Sequence, residues 1–141
     1  LAGLLMAVSL FILSACTAPQ NTESAANAVA EITAQAAAYR KVTAEEARAM
    51  MDADPNVIVV DVREQYEYDE GHIARATLLP LGSIESGADL VLPDKNATIL
   101  VYCRSGRRSQ SGAQTLIGMG YTNVIDMGGI SSWPYEVVTE D

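Results

Sequence analysis

Two apolar runs set the frame of this chain. Val57-Ile58-Val59-Val60-Asp61 and Thr98-Ile99-Leu100-Val101-Tyr102 are continuous, largely β-branched stretches, the pattern of strands covered on both faces. Helical signals lie around them. Thr43-Ala44-Glu45-Glu46 sets a cap residue three positions before a glutamate, the capping-box pattern for a helix running to about Met51. Asp54-Pro55-Asn56 then turns the chain. Gln65 to Glu70 suits a short helix closed by Gly71, and Thr77 to Leu81 a short extended piece that includes Pro80. After a turn at Pro93 to Asn96, the second run leads into a loop at Cys103. Ser109 to Met119 follows as a helix ended by Gly120, and Tyr121 to Asp126 as a strand before Gly128-Gly129. Strands separated by helices need crossover connections, which imply an α/β domain with a parallel sheet and helices on both faces. Ligands of such sheets bind beyond the carboxyl ends of the strands, where Asp61 and Cys103 both stand.

The first residues follow another pattern. Leu1 to Ala15 is apolar throughout and ends in small residues, as the core of an export signal does, and it is short for a membrane span of roughly 20 residues. It is read as a signal whose start lies upstream. Leu13-Ser14-Ala15-Cys16 resembles the lipobox of bacterial lipoproteins, in which the cysteine becomes the lipidated N-terminus. The organisation expected is thus a signal over 1–16, an Ala/Thr/Asn-rich tether over 17–38 and one globular domain over 39–141, carried outside the cytoplasm and tied to a membrane through Cys16. With Cys16 lipidated, Cys103 is left as a lone thiol.

Charge sharpens the interest in that thiol. Nine basic residues face eighteen acidic ones, for a net charge of −9, which argues against nucleic acid or anionic lipid as a general partner. Yet Arg104, Arg107 and Arg108 all follow Cys103 closely, in Cys103-Arg104-Ser105-Gly106-Arg107-Arg108-Ser109. A thiol at a strand end, under the N–H groups of a helix start and beside guanidinium groups, is favoured as thiolate. Such a loop is a cup for an oxyanion, used either on phosphate esters or on the outer sulfur of thiosulfate. The phosphatase cup closes on an arginine separated from the cysteine by five residues, which is position 109 here, and position 109 is Ser. Tyr102 also stands where such phosphatases usually carry histidine. Phosphate-ester chemistry is disfavoured on these grounds.

The loop instead resembles that of rhodanese-like sulfurtransferases, of the Cys-Arg-Ser-Gly-x-Arg-Ser type. Asp61-Val62-Arg63-Glu64 with Glu67-Tyr68 and Gly71-His72-Ile73 is similar to the family's first signature, followed by Pro80-Leu81. Gly120-Tyr121 through Val124, then Met127-Gly128-Gly129-Ile130 and Trp133, is similar to its C-terminal signature. Arg75 is a departure, since the family commonly has Gly before Ala76, and it adds a cation near the first signature. The resemblance implies a three-layer α/β/α fold around a mainly parallel, about five-stranded sheet. It also implies a two-step transfer: Cys103 thiolate takes sulfane sulfur from a small anionic donor such as thiosulfate, and the resulting persulfide yields it to a thiol, cyanide or protein acceptor. No metal or organic cofactor is implied.

Other residues have plainer readings. Arg104, Arg107 and Arg108 are candidates to bind the donor's sulfonate, with Arg108 favoured, and Ser105 and Ser109 are read either as donors to the persulfide or as helix caps. Asp61 is expected either to tune the pocket or to cap the next helix, and Arg63 and Glu67 to pair with each other at helical spacing. His72 is read as structural and Trp133 as a core anchor. A persulfide carrier and a non-catalytic partner-binding module are the alternatives, the intact cysteine weighing against the second.

Overall fold

The computed structural model describes residues 39–139, so the readings of the signal, the tether and Cys16 lie outside the described residues. In chain order the elements are β1 (Tyr39–Lys41), α1 (Ala44–Ala53), β2 (Ile58–Asp61), α2 (Gln65–Glu70), β3 (His72–Ile73) and β4 (Ala76–Leu78). A 3-10 turn (Leu81–Ser83) then leads to α3 (Ile84–Val91), β5 (Ile99–Cys103), α4 (Arg107–Gly118) and β6 (Val124–Gly129). A second 3-10 turn (Ile130–Ser132) precedes β7 (Val137–Val138). Five strands form one parallel sheet in the order β1-β6-β5-β2-β4, and β3 pairs antiparallel with β7. The expected three-layer α/β/α fold with a mainly parallel five-stranded sheet is the fold observed.

All five residues of the central strand β5 are buried, and their alternation divides the core. Ile99, Val101 and Cys103 belong with Ile84 and Ala88 of α3 and with Ala113 and Leu116 of α4. Leu100 and Tyr102 point the other way, toward a cluster containing Ala47 and Met51 of α1 and Tyr68 of α2. Full burial of each such aliphatic side chain contributes roughly 1.5–3 kcal/mol relative to exposure. A one-residue slip would exchange the faces and carry Cys103 to the wrong layer, so packing on both sides fixes the register.

The capping box at the start of α1 forms as expected. Thr43 Oγ1 accepts from the Glu46 N–H at 3.2 Å, and Glu46 Oε2 accepts from the Thr43 N–H at 2.8 Å. A cap of this kind is worth about 1 kcal/mol.

The extended piece expected over Thr77 to Leu81 is a strand only at Ala76–Leu78, with Leu81 opening the 3-10 turn, and three other boundaries depart from the sequence pattern for local reasons. Helix α4 begins at Arg107 rather than Ser109, because Gly106 takes φ +100° and turns the chain into the helix two residues early. Strand β6 begins at Val124 rather than Tyr121, whose buried hydroxyl instead donates to the Leu92 carbonyl at 2.8 Å. At its far end β6 continues through Gly128 and Gly129. There the ladder with β5 shifts: Val101 faces Asp126, but Tyr102 faces Gly128 and Cys103 faces Gly129, a bulge that admits Met127 as an extra residue.

Candidate active site

Cys103 is the last residue of β5 and is 1% exposed. The chain then reverses through Arg104, Ser105 and Gly106 and enters α4, which brings backbone N–H groups over the sulfur. The Gly106 N–H donates to Cys103 Sγ at 3.1 Å. Burial pushes the thiol up, whereas the N–H groups of Ser109, Gly106 and Ser105 pull it down, and the net displacement is below the ordinary thiol range. Three nearby arginines suggest an exposed sulfur; the structure buries it all the same. Arg104 and Arg107 are exposed and Arg108 is half-buried, while the thiol sits beneath the loop's N–H groups.

The loop side chains differ in their surroundings. Ser105 and Arg107 are exposed, and Arg104, with 72% of its side chain accessible, borders a cleft of about 350 Å³ also lined by Arg63, Glu67, Gly71, Ile130 and Val137. Arg108 is directed elsewhere. Its guanidinium donates to both oxygens of Glu67, at 2.6 and 2.8 Å, a bidentate pair joining α4 to α2. Arg108 draws the buried Glu67 carboxyl down to about 2, and Glu67 holds the guanidinium well above its usual range.

The expected Arg63–Glu67 pair does not form. Arg63 lies ahead of α2, outside the helical spacing that would align the two, and turns back to Asp61. The Asp61 carboxylate is fully buried; Oδ1 accepts from the Arg63 N–H at 2.9 Å and both oxygens accept from the guanidinium, whose Nη2 also donates to the Gly71 carbonyl at 2.8 Å. The expected capping of α2 by Asp61 is corrected too: the N-cap is Glu64, whose N–H donates to Glu67 Oε2. Asp61 therefore fixes the Arg63 segment beside Tyr102, its neighbour across the ladder, and the Tyr102 hydroxyl accepts from the Ile73 N–H at 3.1 Å.

His72 is buried, stacks on Tyr68 with ring centroids 3.6 Å apart and has Nδ1 3.0 Å from the Tyr68 carbonyl, in keeping with its structural reading. Trp133 is buried in the α1 and α2 layer, edge-on to Tyr135. Arg75 sits at φ +71°, the left-handed region where glycine is at ease. Its guanidinium donates to the carbonyls of Met51, Pro55 and Val57, so this cation ties down the end of α1 and lies apart from the cleft lining.

The back of the cup comes from β6. A side chain at Gly129 would place its Cβ 2.6 Å from the Ser105 Cα and closer still to the Arg104 carbonyl oxygen, which accepts from the Ser131 N–H at 3.1 Å. Ser109 is a buried residue within the first turn of α4, the N-cap being Gly106, so neither Ser105 nor Ser109 caps that helix. The Ser109 hydroxyl lies 2.7 Å from Asp126 Oδ1, which also accepts from the Gly128 N–H at 2.8 Å; Tyr39 donates to Oδ2 at 3.3 Å. Asp126, 1% exposed, was not singled out from the sequence, although one acid inside the apolar run Val124 to Met127 is a readable signal.

Comparison with known proteins gives a consistent result. The family model for the rhodanese-like domain matches residues 43–135. Thiosulfate sulfurtransferase PspE of Escherichia coli (strain K12) is 38% identical over 71 residues, covering 50% of this chain and 68% of that protein. The probable adenylyltransferase/sulfurtransferase MoeZ of Mycobacterium tuberculosis (strain CDC 1551 / Oshkosh) is 33% identical over 106 residues, 74% of this chain but 27% of that longer protein. Among solved structures, a rhodanese with anions from E. coli superposes with a TM-score of 0.57 at 33% identity, covering 60% of this chain and 99% of that one.

Proposed function

Because the chain belongs to the rhodanese-like domain family, we propose that it is a sulfurtransferase that moves sulfane sulfur from thiosulfate, or a similar small anionic donor, to a thiophilic acceptor through a persulfide on Cys103. The observation that carries this reading is the buried Cys103 sulfur under the converging N–H groups of Ser105, Gly106 and Ser109. In the first step the Cys103 thiolate attacks the outer sulfur of thiosulfate; the new S–S bond forms as the old one breaks, and sulfite leaves with the electron pair. In the second, a thiolate or cyanide attacks the outer persulfide sulfur and Cys103 leaves as thiolate. The same N–H groups stabilise the negative charge on Cys103 before the first step and after the second, which is the electrostatic contribution the backbone makes.

Arg107 and Arg104, both exposed and the latter with Nη1 4.0 Å from Glu67 Oε1, are the cations that meet the donor's sulfonate, and Arg108 joins them where the donor displaces Glu67. The coupled proposal is export and lipid attachment at Cys16, which rests on the apolar run Leu1 to Ala15 and the Leu13-Ser14-Ala15-Cys16 ending.

Incubation with thiosulfate followed by intact mass measurement tests the chemistry. The expected product carries one added sulfur atom, absent from Cys103→Ser and removed by cyanide with release of thiocyanate. An unmodified wild-type protein would rule out thiosulfate as the donor. For the anchor, Cys16→Ser is expected to lose membrane partitioning on expression in a bacterial host; a variant that still partitions refutes lipidation there.

A further inference from the structure

Ser109 has one hydroxyl proton and several acceptors around it. Asp126 Oδ1 lies at 2.7 Å, the Gly106 carbonyl at 3.0 Å and the Gly128 carbonyl at 3.2 Å, and the same hydroxyl also bears on the Cys103 sulfur. A carboxylate oxygen at the shortest of these distances, inside a region where Ser109 and Asp126 are both at most 1% exposed, is the strongest acceptor for that proton. The proton therefore cannot also serve the sulfur.

The bulge in β6 makes this possible. Asp126 stands opposite Val101, on the face of β5 that also carries Cys103, and its Oδ1 holds the Gly128 N–H at 2.8 Å, so the oxygen is fixed by backbone before it meets Ser109. Among the described residues, the charged and titratable groups that face this arrangement are Arg108 of α4, which carries its charge toward Cys103 but is tied to Glu67 of α2, and two residues of β1: Tyr39, which donates to Oδ2, and the exposed Lys41, the register partner of Asp126. Oδ1 itself is held by the Ser109 hydroxyl and the Gly128 N–H.

We propose that Asp126 is a positioning residue that draws the single Ser109 hydroxyl proton away from Cys103, leaving the backbone N–H groups alone to hold the thiolate. The proposal takes Cys103 as the reacting sulfur, as the function above does, but it does not require sulfur transfer to occur. In its terms Asp126 moderates the thiol: it adds a negative charge behind the sulfur and withholds one donor from it.

The test uses alkylation rather than turnover. In the full chain, the rate of Cys103 carboxamidomethylation by iodoacetamide is followed against pH, with the Cys103 peptide resolved from the Cys16 peptide by mass spectrometry. Asp126→Asn is expected to lower the midpoint of that profile by about one pH unit, since it removes the charge and frees the hydroxyl. Ser109→Ala is expected to raise the midpoint more in the Asp126→Asn background than in the native one, because only there does the hydroxyl donate to sulfur. Equal shifts in both backgrounds, or a midpoint raised by Asp126→Asn, overturn the proposal. Should Asp126→Asn fail to fold by circular dichroism, Ser109→Ala alone decides: a rise of a full unit in the native background shows that the proton already serves the sulfur, and a smaller change supports Asp126 as its acceptor. A protein that alkylates as expected yet takes no sulfur from thiosulfate would leave this assignment standing and sink the proposed donor.

Discussion

Glu67 and Arg108 stand 41 positions apart and meet in a two-bond pair, with the carboxylate buried and the guanidinium one-third exposed. The arginine best placed by sequence to bind a donor is already occupied by the protein's own anion. Replacing Glu67 by Gln removes that competition. The expected outcome is a KM for thiosulfate lowered about threefold or more, with kcat changed less, as steady-state thiocyanate formation would report. A higher KM would mean that Glu67 orients Arg108 for the donor.

The same pair predicts an acid limit on stability. Glu67 has its folded-state carboxyl lowered to about 2, below the ordinary 4.5, so its contribution is fully present above the unfolded value and is lost as pH falls from about 4.5 toward 2. The contribution is on the order of 3 kcal/mol, and urea midpoints measured across that interval should fall more steeply for the wild type than for Glu67→Gln.

Asp61 and Arg63 form a second pair, shielded on both sides, at 0% and 5% exposure. Asp61→Asn leaves the Arg63 guanidinium without its countercharge and is expected to cost about 3–5 kcal/mol in denaturant unfolding. If it costs under 1 kcal/mol, the Gly71 carbonyl and the Tyr102 ring suffice to hold the guanidinium.

At Gly129 even a methyl group has no room. Gly129→Ala forces the Arg104-Ser105 backbone outward, with an expected loss of about 1–3 kcal/mol and a marked fall in the rate of persulfide formation. Normal loading in a folded variant would show that the loop tolerates displacement.

Arg75 separates two effects that usually travel together. Arg75→Ala loses the guanidinium bonds to three carbonyls and keeps the left-handed strain, whereas Arg75→Gly loses the bonds but relieves the strain. The alanine variant is expected to be less stable than the glycine variant by about 1 kcal/mol, read from thermal or urea unfolding.

What was legible in the sequence follows from how far each interaction reaches. The β-branched runs of β2 and β5, the capping box at Thr43 and the helix Gln65–Glu70 are local signals, and they appear within a residue or two of where the pattern put them. Helix α3 was missed because Ile84–Val91 is short and contains Ser86 and Gly87, which weaken a helical pattern. The edge strand β1 and the β3–β7 pair, three and two residues long, are too brief to show a period. The Cys103 loop was legible as contiguous residues whose chemistry makes sense together. Glu67 with Arg108, and Ser109 with Asp126, were not, because each depends on a long-range packing register that no local window contains.

The extra residue in β6 gives the strand two allegiances. Up to Asp126 its side chains answer to the core, alternating between the two helical layers; beyond Met127 the alternation is reset and the backbone answers to the Cys103 loop. Deleting Met127 would thus do more than shorten a strand. It would leave Gly128 and Gly129 opposite Tyr102 and Cys103 while taking a buried side chain out of the α1 and α2 layer and undoing the turn of backbone at which Asp126 Oδ1 holds the Gly128 N–H.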